Sequence, residues 1–164
     1  MTNLAMPKID RKLIAKKDEV TSDLKKIINP KNVLDHIDEI RPFETDALSA
    51  YKQKPMLVVF PENTKEVSGI LAYCNKKRIK VVPRGAGTGL SGGSLPLADS
   101  ILLCLGKFNK IINIDYKNRC VVAQPCVTNL SITQAVEEKG FYYAPDPSSQ
   151  IACSIGGNVA ENSG

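Results

Sequence analysis

The run PRGAGTGLSGGS, from Pro83 to Ser94, decides how this chain is read. Five of the eleven glycines of the sequence fall within it, directly after a short β-like stretch, Lys80, Val81 and Val82. At an average usage of roughly 7% glycine, such a window would hold about one. Gly85, Gly87 and Gly89 occupy alternate positions, which removes the Cβ atoms that would hold a diphosphate away from the backbone. Freedom to take positive φ lets successive N–H groups converge on an anion. Arg84 adds a permanent charge with several donors, and Thr88, Ser91 and Ser94 add hydroxyls. A flexible Gly/Ser linker is the plain alternative, but an Arg after a strand, the flanking Pro83 and Pro96 and a second apolar run argue against it. The run is expected to be a phosphate cradle.

Its omissions narrow the ligand. No Lys followed by Ser or Thr closes the run, which argues against a P-loop NTPase. Leu90 stands where the Rossmann fingerprint needs its last small residue, and Gly92, Gly93 and Pro96 interrupt any long helix starting at the loop. The loop must therefore bind anions with its own backbone. A second glycine-containing run, APDPSSQIACSIGGNVAENSG, spans Ala144 to Gly164. Pro145 and Pro147 stiffen its approach, and Asp146, Ser148 and Ser149 offer polar contacts. Ser154 then precedes Ile155, Gly156, Gly157 and Asn158 at an expected helix start, whose free N–H groups could take a further anionic or carbonyl group. Taken alone, this run reads equally well as a turn followed by an ordinary helix.

Between and before these runs the periodicities give short elements. Ile9, Leu13, Val20, Leu24, Ile27 and Ile28 share one face of an amphipathic N-terminal helix ended by Asn29 and Pro30. Met56 to Phe60 reads as a strand. Asn63 or Thr64 caps a helix with a buried stripe of Val67, Ile70, Leu71 and Cys74, and Lys80 to Val82 completes a βαβ unit that delivers the glycine loop. Ile101 to Leu105, Ile111 to Asp115 and Cys120 to Ala123 read as strands, the last two joined through Lys117 and Asn118. Thr128 starts a helix carrying Leu130, Ile132, Ala135 and Val136, stopped by Gly140. The expected class is α+β with short strands, and not a doubly wound sheet.

Composition bounds the function. Of 164 residues, 43% are hydrophobic and 24% charged, with no tryptophan and a formal net charge of +5. No apolar stretch approaches the ~20 residues of a membrane-spanning helix and no signal peptide is visible, so a cytoplasmic protein is expected. Lysines interspersed with acids, without a basic tract or stacking aromatics, argue against nucleic acid. Five cysteines without a CxxC pair support neither a zinc site nor an iron-sulfur framework, and Cys74 and Cys104 read as small buried hydrophobes. The single histidine, His36, lies among Asp35, Asp38 and Glu39 and reads as a solvated or capping residue.

The two glycine-rich runs, together with RPFETDAL (Arg41 to Leu48) and MLVVFPENTKEV (Met56 to Val67), resemble the PCMH-type FAD-binding domain of the vanillyl-alcohol oxidase superfamily. The resemblance is to its glycolate oxidase D subunit and D-lactate dehydrogenase branch. It implies a helical extension over residues 1–40 and the N-terminal part of the FAD-binding domain over 41–164, with the remainder and a substrate or cap domain beyond. It further implies FAD held non-covalently, its diphosphate by Arg84, Gly85, Ala86, Gly87, Thr88, Gly89, Leu90 and Ser91. Asp146, Ser149, Cys153, Ser154, Gly156, Gly157 and Asn158 would line the flavin side. The implied activity is oxidation of a 2-hydroxyacid, glycolate or D-lactate, to the 2-oxoacid. Electrons would pass to an iron-sulfur or other accepting subunit, possible membrane contact being peripheral and through such partners. No catalytic residue falls within the matched run. Relatives that attach flavin covalently use a His in the first loop, absent here, or a Cys near Cys153. One departure is Cys126, after Gln124 and Pro125, where relatives carry glycine; a need for positive φ there would cost on the order of 1 kcal/mol. Two other readings stay open at this point: an FAD-binding module without turnover that needs a complementary chain, and an ether-forming enzyme of the alkyl-glycerone-phosphate synthase type.

Overall fold

The computed structural model describes residues 6–145 and 147–163. The chain divides into two compact units, one comprising Met1–Pro83 and Leu90–Cys104, the other Arg84–Gly89 and Leu105–Gly164.

The first unit is built on a mixed sheet of four strands in the order β1-β2-β4-β3, with β1 Val33–Leu34, β2 Leu57–Val59, β3 Lys80–Arg84 and β4 Ser100–Cys104. β2 runs antiparallel to β1 and parallel to β4, with Val58 opposite Leu102. Every residue of β2 and β4 is buried, as an apolar run without alternation requires when both faces are covered. On one face Val58, Leu102 and Cys104 pack with Ile40, flanked by Leu34, Phe43, Phe60 and Val82. The expected βαβ unit is present, with one difference: β4 lies between β2 and β3, so the helix that joins them crosses an intervening strand.

That connecting helix, α4 (Thr64–Lys77), starts where the sequence indicates, with the Asn63 side chain accepting from the Glu66 N–H. Its buried face differs from the expected stripe. Ile70 and Cys74 are buried, whereas Leu71 is 44% exposed. The reason is a second helix laid along the Gly69–Tyr73 side, α2 (Lys17–Ile27): a Cβ on Gly69 would come 2.8 Å from the Ile27 side chain, and the Tyr73 hydroxyl donates to Asp23. Burial pushes the Cys74 thiol up to about 11, so it acts as the expected small hydrophobe.

The single N-terminal helix expected from periodicity is two helices. A short α1 (Arg11–Ile14), capped by Asp10, is separated from α2 by Ala15 and Lys16. The apolar stripe holds only from Val20 through Leu24 to Ile28, all buried, while Ile9 is 51% exposed. Asp10 is anchored elsewhere: its N–H donates to the buried Asp99 carboxylate at 2.8 Å, which also takes the Lys80 ammonium at 2.8 and 3.0 Å. His36 caps the one-turn helix α3 (Ile37–Ile40) through its Nδ1, as a solvated capping residue should.

Asp99 supplies a pH prediction. Burial alone would raise its carboxyl, but the Lys80 and Asp10 hydrogen bonds outweigh that and hold it below the usual carboxylate range. A depressed folded-state value means that the stabilisation is complete above the unfolded value of ~3.9 and is lost as pH falls through the lower folded value. Asp99→Asn should therefore cost about 1 to 3 kcal/mol at neutral pH and flatten the acid limb of a melting-temperature profile below pH ~4.

The second unit contains the hairpin β5 (Ile111–Asp115) and β6 (Cys120–Ala123), then helices α5 (Asn129–Val136) and α6 (Ile155–Glu161). The hairpin connection is four residues long and passes through Lys117 and Asn118, as expected. Asp115 accepts from the Asn118 backbone and side chain, and the left-handed residue is Arg119, at φ 54°. Thr128 caps α5 by accepting from Ser131 N–H, and Gly140 takes the left-handed conformation after a 3₁₀ turn, Glu137–Lys139. Among the described residues, no helix is long and apolar enough to cross a membrane.

Candidate functional site

Arg84–Gly89 of the first glycine-rich run meets the second run inside the second unit. The loop leaves β3 at Arg84, whose carbonyl accepts from Leu105 N–H at 2.9 Å, and is laid along α6. At its start Gly85 abuts Ser154: a Cβ there would collide with the Ser154 hydroxyl, with Cys126 Sγ 3.8 Å away. At its end Gly89 abuts Glu161, where a Cβ would lie 3.3 Å from Oε1. The missing side chains thus seat the loop along α6 from its cap, Ser154, to its last residue, Glu161.

Space, more than backbone freedom, explains these glycines. Of the two reasons the sequence offers for Gly85, Gly87 and Gly89, a missing Cβ and positive φ, the second holds for Gly87 alone of the three, at φ 71°. There the chain turns over the Arg84 side chain, whose Cδ would be 3.6 Å from a Cβ on Gly87. Arg84 itself is buried, at 8% exposure, under the loop that it precedes. Among the described residues, no N–H from Gly85 to Gly89 donates a backbone hydrogen bond. Ala86 is exposed and Thr88 half-buried. Leu90 and Ser91, the rest of the predicted set, are exposed and belong to the first unit. Ser94, there, donates to Asp46 at 3.3 Å.

The start of α6 holds a second correction. Its first N–H groups are already engaged: Ile155 donates to Val127 O at 3.0 Å, Gly156 to Pro125 O at 2.8 Å and Gly157 to Ser154 Oγ at 3.3 Å. They have no donor left for a ligand, because α6 is stitched onto the segment Pro125–Val127, and Thr128 and Ser154 form a β-bridge beside it. Gly156 is needed for that stitch, since a Cβ would come 2.7 Å from Pro125 Cβ and 2.9 Å from its carbonyl oxygen. Cys126 carries no positive φ, so the strain considered for it does not arise. Its N–H donates to Phe108 O at 2.8 Å, and burial raises its thiol above the ordinary range.

A buried residue outside the predicted set organises the second run. Asn129, 1% exposed, accepts from Asn158 Nδ2 at 2.6 Å and from Cys153 Sγ at 3.5 Å, and donates to Pro145 O at 3.0 Å. It ties α5 to α6 and to the proline-stiffened approach. The signal for it was in the sequence: Thr128 already caps α5, which leaves Asn129 a polar side chain with no capping task. Ser149, half-buried, acts through its carbonyl, which accepts from Ala152 and Cys153 N–H at 2.8 Å and closes the turn before α6. Asp146, also predicted, lies outside the described residues.

The sequence profile of a family described as "FAD binding domain" matches residues 55–164, two thirds of the chain. The chain belongs to the FAD binding domain family. Its fold is the PCMH-type FAD-binding fold, and FAD is its cofactor. Glycolate oxidase subunit GlcD of Escherichia coli K12 is 49% identical over 160 residues, covering 98% of this chain and 31% of GlcD. The mitochondrial D-2-hydroxyglutarate dehydrogenase of Arabidopsis thaliana is 36% identical over 143 residues, covering 87% of this chain and 26% of the relative. The chain therefore spans under a third of the length of these relatives. Among solved structures, an alkyldihydroxyacetonephosphate synthase superposes with a TM-score of 0.76 at 19% identity, over 96% of this chain and 30% of that one. At that identity the likeness is one of fold alone.

The residues of this FAD binding domain fit the dinucleotide. Diphosphate oxygens are acceptors only, and the Gly85–Gly89 N–H groups, none of which donates a backbone bond among the described residues, are donors they could take. Cys153, buried at 4% exposure with its thiol turned to Asn129, is placed as a structural residue.

Proposed function

We propose that Arg84–Gly89 holds the diphosphate of FAD non-covalently, and that the chain is the diphosphate-binding part of an enzyme oxidising a 2-hydroxyacid, glycolate or D-lactate, to the 2-oxoacid. The observation that carries the binding half is the run of N–H groups from Gly85 to Gly89 that donate no backbone bond among the described residues, on a loop braced against α6 at both ends. The reaction half is supported by relatives named for 2-hydroxyacid oxidation. FAD, when bound, supplies the two-electron acceptor for that chemistry. This chain's residues bind and orient it. The loop backbone takes the diphosphate oxygens, the buried Arg84 sets positive charge beneath them, and Ser149, Cys153, Ser154, Gly156, Gly157 and Asn158 keep α6 in register on the flavin side. The relative named as a subunit supports an electron-accepting partner chain, and we place the assembly in the cytoplasm, with any membrane contact peripheral.

Titration of the chain with FAD, read by flavin fluorescence and thermal melting together, tests this reading. Saturable binding should raise stability by about 2.7 kcal/mol at 100 times Kd. Arg84→Ala should weaken FAD about tenfold, ~1.4 kcal/mol, with Arg84→Lys intermediate because it keeps the charge and loses the planar fork. A cooperative melt unmoved by FAD would contradict it.

A further inference from the structure

We infer that Glu161 reads the sugar hydroxyls next to the diphosphate, a polyol-binding carboxylate at the far end of the glycine loop. This rests on the cradle reading and extends it to a residue outside the predicted set. The Glu161 carboxylate lies against the last glycine of the cradle, with Oε1, Cδ and Oε2 at 3.3, 3.5 and 3.8 Å from where a Gly89 Cβ would be. It is exposed, and among the described residues it makes no hydrogen bond or ion pair.

Its contact with Gly89 closes the far end of the loop, but helix capping gives this position no reason to be an acid. Glu161 is the last residue of α6, where the helix dipole disfavours an acid, and the left-handed Asn162 already closes the helix through its own N–H. An ionised carboxylate only accepts hydrogen bonds, so it cannot bind a phosphate oxygen and repels one placed beside it. A neighbour that donates must therefore come next along the ligand. In FAD the groups flanking the diphosphate on either side are polyols, the ribityl chain and the adenosine ribose, and their hydroxyls are such donors. Acids take ribose hydroxyls in the same chemical sense in Rossmann sites, on an unrelated backbone.

The experiment compares the wild-type chain with Glu161→Ala and Glu161→Gln, measuring Kd for FAD, FMN, ADP and inorganic pyrophosphate by calorimetry, and the ligand-free melting temperature. Glu161→Ala should weaken FAD about tenfold or more, with Glu161→Gln between it and wild type, while pyrophosphate binds as tightly or more tightly. A parallel loss for ADP assigns the adenosine ribose, and a parallel loss for FMN assigns the ribityl chain. The exposed position predicts an unchanged ligand-free melt for both variants, which separates lost binding from lost fold. FAD affinity that is unchanged, or that rises in step with pyrophosphate, would overturn the inference while leaving the cradle standing. Failure of the wild-type chain to bind FAD or pyrophosphate would overturn the cradle and this inference with it.

Discussion

Replacing Asn129 by alanine should destabilise the chain by about 2 to 5 kcal/mol, because it strands several polar groups at once. Asn158 Nδ2 would lose its 2.6 Å acceptor inside a buried site, and Pro145 O would lose its donor. Each stranded group costs roughly 1 to 3 kcal/mol, and the Cys153 thiol loses its acceptor as well. Urea unfolding of Asn129→Ala, Asn158→Ala and the double variant checks the account. The two losses should be strongly non-additive, since either change alone breaks the same bond. Additive losses would show that the Asn129–Asn158 pair does not act as a unit. Because Asn129 holds the approach at Pro145 and the turn at Cys153, FAD binding should also weaken in the single variant, even where the fold persists.

Gly156→Ala is expected to be the next most damaging change, at about 1 to 3 kcal/mol or more. Its new Cβ would press on Pro125 at 2.7 Å from Cβ, 2.9 Å from O and 3.3 Å from Cα. Two of these contacts are to backbone atoms of a proline whose neighbour is pinned by the Cys126–Phe108 hydrogen bond, so rotation of a side chain cannot relieve them. Relief must come from α6, whose displacement breaks the Gly156–Pro125 bond and carries Ser154 away from Gly85. The expected signature is a lower melting temperature together with a disproportionate loss of FAD affinity. Gly106→Ala is the matching control. Nothing lies within 4 Å of its Cβ position and its φ is not positive, so alanine should be neutral or add up to about 1 kcal/mol.

Much of the fold is legible in local pattern. Asn63, Thr128 and Ser154 all cap helices where a short polar side chain precedes an apolar period, and the limits of β5 and β6 coincide with their apolar runs. Tertiary packing decides the rest. Leu71 lies outward because α2 covers the neighbouring Gly69–Tyr73 face, and the start of α1 is held by the bond from Asp10 to Asp99, 89 residues away. Insertion of β4 between β2 and β3 depends on long-range pairing that no single segment encodes. In the site, the glycine pattern marked the loop, but composition cannot distinguish a glycine needed for positive φ from one needed for space. Gly87 is the first kind, and Gly85, Gly89 and Gly156 are the second. Nor can it show that the N–H groups opening α6 are consumed by Pro125 and Val127, two segments away.

The claim that the loop backbone, and not the start of α6, holds the diphosphate is tested most directly by amide NMR of the isotopically labelled chain titrated with FAD, and separately with inorganic pyrophosphate. Saturable shifts are expected at the N–H resonances of Gly85, Gly87 and Gly89 under both ligands. Those of Gly156 and Gly157, already bonded to Pro125 O and Ser154 Oγ, should move little with pyrophosphate. Saturable shifts centred on Gly156 and Gly157, with the Gly85–Gly89 amides unmoved, would contradict it.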